Sequence, residues 1–192
     1  MSTGDRRVLL VDTAIELIAT RGLRALTHRA LDTELGLPGG SASYYFRTKR
    51  ALIEAIVDRI TTRSRDDFAA AALAPTCTAT PGAVAEAIAT WLDRLLAERR
   101  AHLIARHALL LDLLDDHDLR PRLAHSLFST ERARELFQAM GATDPGARAD
   151  DFVAVVEGAV FDRFAGNRTA LRPNTPESVR QLARLLGPHL SA

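Results

Sequence analysis

At 192 residues, 47% hydrophobic and 26% charged, the chain has ordinary globular composition and is long enough for one large or two small domains. Its apolar runs, residues 108–111 among them, are far short of the ~20 residues that a membrane span needs; the polar N-terminus MSTGDRR leads into helical periodicity rather than a secretory segment, so a cytoplasmic protein is expected. One cysteine, Cys77, excludes an internal disulfide and a cysteine-based zinc site, and reads as a loop thiol. The net charge of +1 conceals an asymmetry: residues 1–65 hold 11 Arg/Lys against 7 Asp/Glu, and residues 66–192 hold 14 against 17. A basic N-terminal third suits a module facing phosphate.

Apolar residues recur at helical spacing throughout, with no sustained alternation of β-branched residues, so an all-α chain is expected. The first helix covers about residues 5–21, with Val8, Val11, Ile15 and Ile18 as its buried stripe and Gly22 as its end. Thr27 caps a second helix over about 28–35, Gly36 supplies a tight turn, and Gly39-Gly40-Ser41 opens a third over about 41–46. A fourth helix, about 48–73, begins with an apolar face (Leu52, Ile53, Ile56, Ile60). It turns polar all round at TTRSRDD, as a helix bridging two domains would.

Residues 74–82 form the clearest loop, and Thr80-Pro81 caps a fifth helix running to about residue 99. The sixth, about 101–114, is apolar on most of its circumference and is expected as the central buried helix of a second domain. A seventh covers about 120–140 and stops at Gly141, an eighth covers about 147–166, and a ninth about 177–186. In the eighth, Phe152, Val155, Val156, Ala159 and Val160 form one apolar face. Phe161 and Phe164 add a second, with Gly158 permitting close approach. One face for a core and one for a partner explains both.

Residues 26–52 carry the functional signal. Two short helices joined by a glycine turn, after a longer first helix, have the geometry of a helix-turn-helix DNA reader. Gly36, Leu37 and Gly40, an aromatic cluster ending in Phe46, a two-residue gap, Lys49 and then Leu52 together resemble the N-terminal motif of the TetR family of transcriptional regulators. Lys49 is the only lysine in the chain. The resemblance in motif covers about residues 8–60, and the later helices agree in number, length and order.

That resemblance implies a helix-turn-helix domain over 1–47, followed by a helical ligand-binding and dimerisation domain over 48–192 that the fourth helix connects to it. It implies double-stranded DNA as partner, and a homodimer through the eighth and ninth predicted helices. It further implies repression at a palindromic operator, relieved by a small molecule. Carried over residue by residue, Thr27 caps and reaches phosphate, and His28 and Arg29 lie at the start of the second helix, Arg29 with a fork suited to phosphate or guanine. Gly40 opens the recognition helix with an amide able to approach phosphate, and Ser41 lies on its first turn. Tyr44 keeps a backbone-contacting place, and Lys49 supplies a point charge. Ser43 stands where the family usually has tyrosine, and Tyr45 where it has histidine, so no operator sequence transfers.

Polar or aromatic groups that interrupt the apolar faces of the fifth to seventh helices are the effector-binding candidates, Trp91, His102, Arg106, His107, Phe128 and Phe137, with the apolar Leu110 added to them. They fit a largely apolar effector with one acidic or hydrogen-bonding end. No cofactor and no metal site is expected. A di-iron bundle needs Glu-x-x-His pairs, which the sequence lacks, and neither a nucleophile motif nor a nucleotide fingerprint occurs, which speaks against an enzyme. The rival reading is a small-molecule-binding or protein-interaction bundle with lapsed DNA binding, suggested by Ser43 and Tyr45.

Overall fold

The computed structural model describes residues 3–71 and 80–191, and all the helices and turns it shows there belong to an all-α architecture. The predicted loop over 74–82 and Cys77 lie largely or wholly outside the described residues. Packing divides the chain into two compact units, Met1–Arg65 with Ala101–Ala124, and Asp66–Arg100 with His125–Ala192. This differs from the division by role expected at residue 47, because two later helices pack with the N-terminal ones. Among the described residues no helix is long and apolar enough to cross a membrane.

The first unit contains α1 (Thr3–Arg21), a 3-10 turn (Leu23–Ala25), α2 (His28–Glu34), α3 (Ser41–Tyr45), the first part of α4 (Lys49–Ala71), α6 (Arg100–Asp112) and α7 (Leu119–Ala124). Its core is a continuous cluster of Leu10, Ile15 and Ile18 from α1, Leu31 from α2, and Leu52, Ile56 and Ile60 from α4. Leu109 from α6 and Leu119 and Leu123 from α7 complete it. Spacings of three and four residues put each set on one face of its helix. Val8, expected on the stripe of α1, is exposed: the core begins at Leu10, and Val8 lies beyond its edge. Arg59 holds Asp12 through two bonds of 2.7 and 2.8 Å, joining α4 to α1.

The sixth predicted helix is not the centre of a second domain. Leu103, Ala105, Arg106 and Leu109 are buried, yet Leu111 and Leu114 are exposed. Leucines cover its circumference, but neighbours cover one side only. The seventh predicted helix is two. Asp116 Oδ1 accepts from the Leu119 N–H at 2.8 Å to start α7, and Ser129 caps α8 (Thr130–Ala139) by accepting from the Arg132 N–H. Neither glycine nor proline marks the break at 125–129. It is enforced from elsewhere: the Arg106 guanidinium accepts the duty of the missing turn, with Nε donating to Leu123 O at 2.9 Å and Nη2 to Ala124 O at 3.0 Å. Terminal helix carbonyls need such donors, and a cation there also suits the helix dipole.

The same corner is tied to α4 by ion pairs of Arg50 with Asp116 and of Arg122 with Asp58. The Leu119 N–H, followed by the Arg50 guanidinium, holds the Asp116 carboxyl below its usual range.

The second unit holds α5 (Pro81–Glu98), α8, α9 (Pro145–Asp162) and α10 (Pro176–Leu190), with the last stretch of α4. Thr80 caps α5, as its sequence signal predicts, and Asp144 and Thr175 cap α9 and α10 with proline in the first turn of each. α10 packs along α5, and α9 lies against both α8 and α10. The turn between α9 and α10 is pinned to α5 by buried Asp93, whose carboxylate accepts from the Asn174 N–H at 2.9 Å and from the Ser178 hydroxyl. Arg163, also buried, donates to Leu171 O at 2.7 Å; burial lowers its pKa, and the Asp93 charge opposes that shift.

Candidate nucleic-acid interface

α3 has five residues, too few to hold helical form in water by its own hydrogen bonds. Its conformation is imposed from both sides. Ala42 and Phe46 anchor its inner face, with Ala42 fully buried and Phe46 1% exposed. Gly36 and Gly40 take φ of +60° and +92°, the left-handed conformation that favours glycine, and so let the chain reverse between α2 and α3. The inner face being fixed, the opposite one is presented outward: Ser43 is exposed and Tyr44 is 80% exposed.

The other expected contact residues divide by environment. Thr27 is exposed and accepts from the Ala30 N–H at 3.0 Å, so it is the cap of α2. Arg29 and Lys49 are exposed, Lys49 at the first position of α4, where Thr48 accepts from the Ala51 N–H at 3.0 Å. His28 is half-buried. Ser41 is half-buried too, and its hydroxyl donates to Pro38 O at 2.6 Å, bracing the turn. Tyr45 is half-buried against the core, with its ring edge-on to Tyr44 at 5.3 Å. Thr27, Arg29, Ser43, Tyr44 and Lys49 therefore present the open surface, while His28, Ser41 and Tyr45 are partly turned into the structure.

One expectation meets a competing partner. The Gly40 amide, anticipated as open to phosphate, donates instead to Asp32 Oδ2 at 2.8 Å, and the Ala42 amide donates to Asp32 Oδ1 at 2.7 Å. Asp32, 4% exposed, escaped the sequence reading. No local signal marks it, because an aspartate in a short helix reads as an ordinary outward-facing polar residue. Arg7 escaped as well. Its guanidinium lies 4.3 Å from the Phe46 ring centroid, and Nη1 donates to Tyr45 O at 3.2 Å.

The effector candidates do not form a single set. Trp91, Phe128 and Phe137 meet in the second unit, in an edge-to-face aromatic cluster that also includes Phe68 and Phe152, neither of which the sequence had pointed to for this purpose. Trp91 lies 5.6 Å from Phe68 and 5.7 Å from Phe128, and Phe152 lies 5.8 Å from both Phe128 and Phe137. The Trp91 Nε1–H is buried there without a hydrogen-bond partner. His102, Arg106, His107 and Leu110 belong to the first unit. There Leu110 packs on the core, and His107 Nδ1 donates to Leu103 O at 2.8 Å, since a carbonyl can only accept.

A basic helix-turn-helix with an outward-facing recognition helix, joined to a second helical unit with an aromatic core, defines a DNA-binding regulator. Residues 10–56 match the family described as bacterial regulatory proteins, tetR family, and residues 79–188 match the tetracyclin repressor-like C-terminal domain. The chain belongs to the TetR family of transcriptional regulators, which are not enzymes.

Solved structures agree. The multidrug binding protein EbrR complexed with imidazole is similar at 26% identity and a TM-score of 0.64, over 94% of each chain. Its complex with ethidium is similar at 25% identity and a TM-score of 0.63, over 94% of this chain and 98% of that one. A TetR-family member from Streptomyces coelicolor A3 shares the fold at a TM-score of 0.70 and 24% identity, over 94% and 98%. No curated protein sequence matches the chain.

Proposed function

We propose that this regulator represses transcription by binding a palindromic operator as a homodimer, and that a small, largely apolar molecule releases it. The observation that carries the DNA reading is the two-sidedness of α3: Ala42 and Phe46 are buried on one side, and Ser43 and Tyr44 are exposed on the other. Arg29, Tyr44 and Lys49 are in place to hold phosphates, with Thr27 able to add a hydroxyl contact. Ser41 and Ser43, with Tyr45 and His28 at the margin, are the groups closest to base edges. By role, residues 1–47 read DNA and residues 48–192 sense and dimerise, in the cytoplasm where DNA lies.

The interface between copies is proposed on α9 and α10. α9 exposes Ala154, Gly158 and Phe161 along one side, while Phe152, Val156 and Val160 fill the core on the other. A Cβ built on Gly158 would meet nothing within 4 Å, which leaves room for a partner's backbone. A two-fold pair would space its recognition helices by about one DNA turn, ~34 Å.

For the effector, the aromatic cluster around Trp91, Phe128 and Phe137 supplies the apolar surroundings, and the unpartnered Trp91 indole N–H supplies a donor. EbrR, a multidrug binding protein solved with imidazole and with ethidium, is 25–26% identical to this chain, which supports a small-molecule effector.

Selection of bound duplexes from random sequence, followed by a screen for compounds that release them, tests the whole reading. A palindromic consensus is expected; no enrichment at low salt would defeat it. Lys49→Ala is expected to weaken binding to every sequence and to reduce the slope of log affinity against log salt by about 1. An unchanged slope would remove Lys49 from the phosphate contacts.

A further inference from the structure

The recognition helix is gripped at both ends by groups that do not lie on its outward face. At its N-terminal end the buried Asp32 carboxylate takes the Gly40 and Ala42 amides at 2.8 and 2.7 Å, and the Asp32 backbone carbonyl takes the Leu37 N–H at 2.8 Å. At its C-terminal end the Arg7 guanidinium bonds the Tyr45 carbonyl and covers the Phe46 ring. Negative charge at the N-terminal end and positive at the C-terminal end is the polarity that a helix dipole favours.

The need for such a grip is local. The connection from α2 to α3 runs through Gly36, Pro38, Gly39 and Gly40, and Cβ atoms built on its three glycines would meet nothing within 4 Å. Leu37 packs against the core, but the glycines on either side of it add no side-chain packing, so the entry to the helix depends on other constraints. A carboxylate with two charge-assisted bonds, each of the strong kind, is such a constraint.

We propose that Asp32, assisted by Arg7, is the positioning residue that sets DNA sequence specificity: it fixes the angle at which Ser41 and Ser43 meet base edges without itself touching DNA. The inference rests on the reading of α3 as the DNA-contacting helix. It also assigns a second consequence to the same bonds. With the Gly40 and Ala42 amides occupied by a carboxylate, phosphate contact falls to side chains such as Arg29, Tyr44 and Lys49, and a buried negative charge near the DNA surface disfavours indiscriminate binding.

Asparagine at this position keeps one acceptor oxygen but turns an NH2 donor toward an amide that is itself a donor. Asp32→Asn is therefore expected to weaken binding to the selected operator about ten-fold or more, a change of about 1.4 kcal/mol or more. Affinity for a random-sequence duplex should stay unchanged or tighten, because one negative charge is gone, and the salt slope for the operator should hold. Arg7→Gln, at an exposed side chain whose loss leaves the core intact, should lower the same operator-to-random ratio by a smaller factor.

The experiment titrates wild type and both variants, as full-length protein, with the selected operator and with random duplex at several salt concentrations. Proportionate loss of both affinities in Asp32→Asn overturns the proposal, because that marks general unfolding. So does an Arg7→Gln variant that merely loses about one unit of salt slope, which marks an ordinary phosphate contact. If Asp32→Asn does not fold, the Arg7→Gln ratio decides alone. A wild type with no operator preference overturns the DNA reading together with the proposal; a preferring wild type whose ratio neither variant changes overturns the proposal only.

Discussion

Phe161→Asp is expected to separate the homodimer and to weaken operator binding by about 10²–10⁴-fold, the advantage that two linked half-site contacts hold over one. Phe161 is 47% exposed on α9, edge-to-face with Phe164 at 5.9 Å and one turn from Gly158. An aspartate there would be solvated in a monomer and stripped of water in a dimer, and such unpaired burial of charge is among the costliest single changes. Because the ring lies outside the core, the monomer should keep its fold, with a stability change within about 0.5 kcal/mol. Sedimentation at micromolar concentration and operator retardation read the two effects together. A Phe161→Asp protein that still sediments as a dimer and binds operator as wild type does would remove α9 from the interface.

The second large effect is expected at Arg106. Arg106→Met should lower stability by roughly 2–5 kcal/mol, since it strips donors from the buried carbonyl of Leu123 and the half-buried one of Ala124 while keeping much of the side-chain volume. Urea denaturation of effector-free protein measures it. An unchanged midpoint, combined with a weakened response to an effector, would instead favour the ligand anchor anticipated from the sequence. The loss should be felt at the α7 terminus first, as faster amide exchange across residues 119–124, before global unfolding.

Arg106 also illustrates how far sequence reasoning reaches. On a helix rich in leucine, an arginine reads as an interruption waiting for a ligand. Nothing within a turn of it announces that its partners are carbonyls 17 and 18 residues away. Asp32 is the same case in reverse. It looks like a polar residue on the outer face of α2, yet it is buried because two amides from the following helix converge on it. Leu111 and Leu114 lie toward the end of a helix expected to be buried for its hydrophobicity, yet both are exposed, because neighbours cover only one side of it.

By contrast, features governed by short-range rules were legible. The caps at Thr27 and Thr80, the turn at Gly36, the buried Phe46 and the start of α4 beside Lys49 follow from bonds spanning three or four residues, or from a motif of fixed spacing. The all-α class follows from periodicity, and the family from the residues between Gly36 and Leu52.

What the sequence by itself determined is therefore the all-α class, the caps at Thr27 and Thr80 and the glycine turn that opens the recognition helix, because each depends on residues close together along the chain. The tertiary structure alone decided that α6 and α7 pack with the N-terminal helices, that the predicted seventh helix breaks, and that the recognition helix is held by Asp32 and Arg7. Those outcomes depend on which distant donors, acceptors and apolar faces meet, and local spacing carries no record of that meeting.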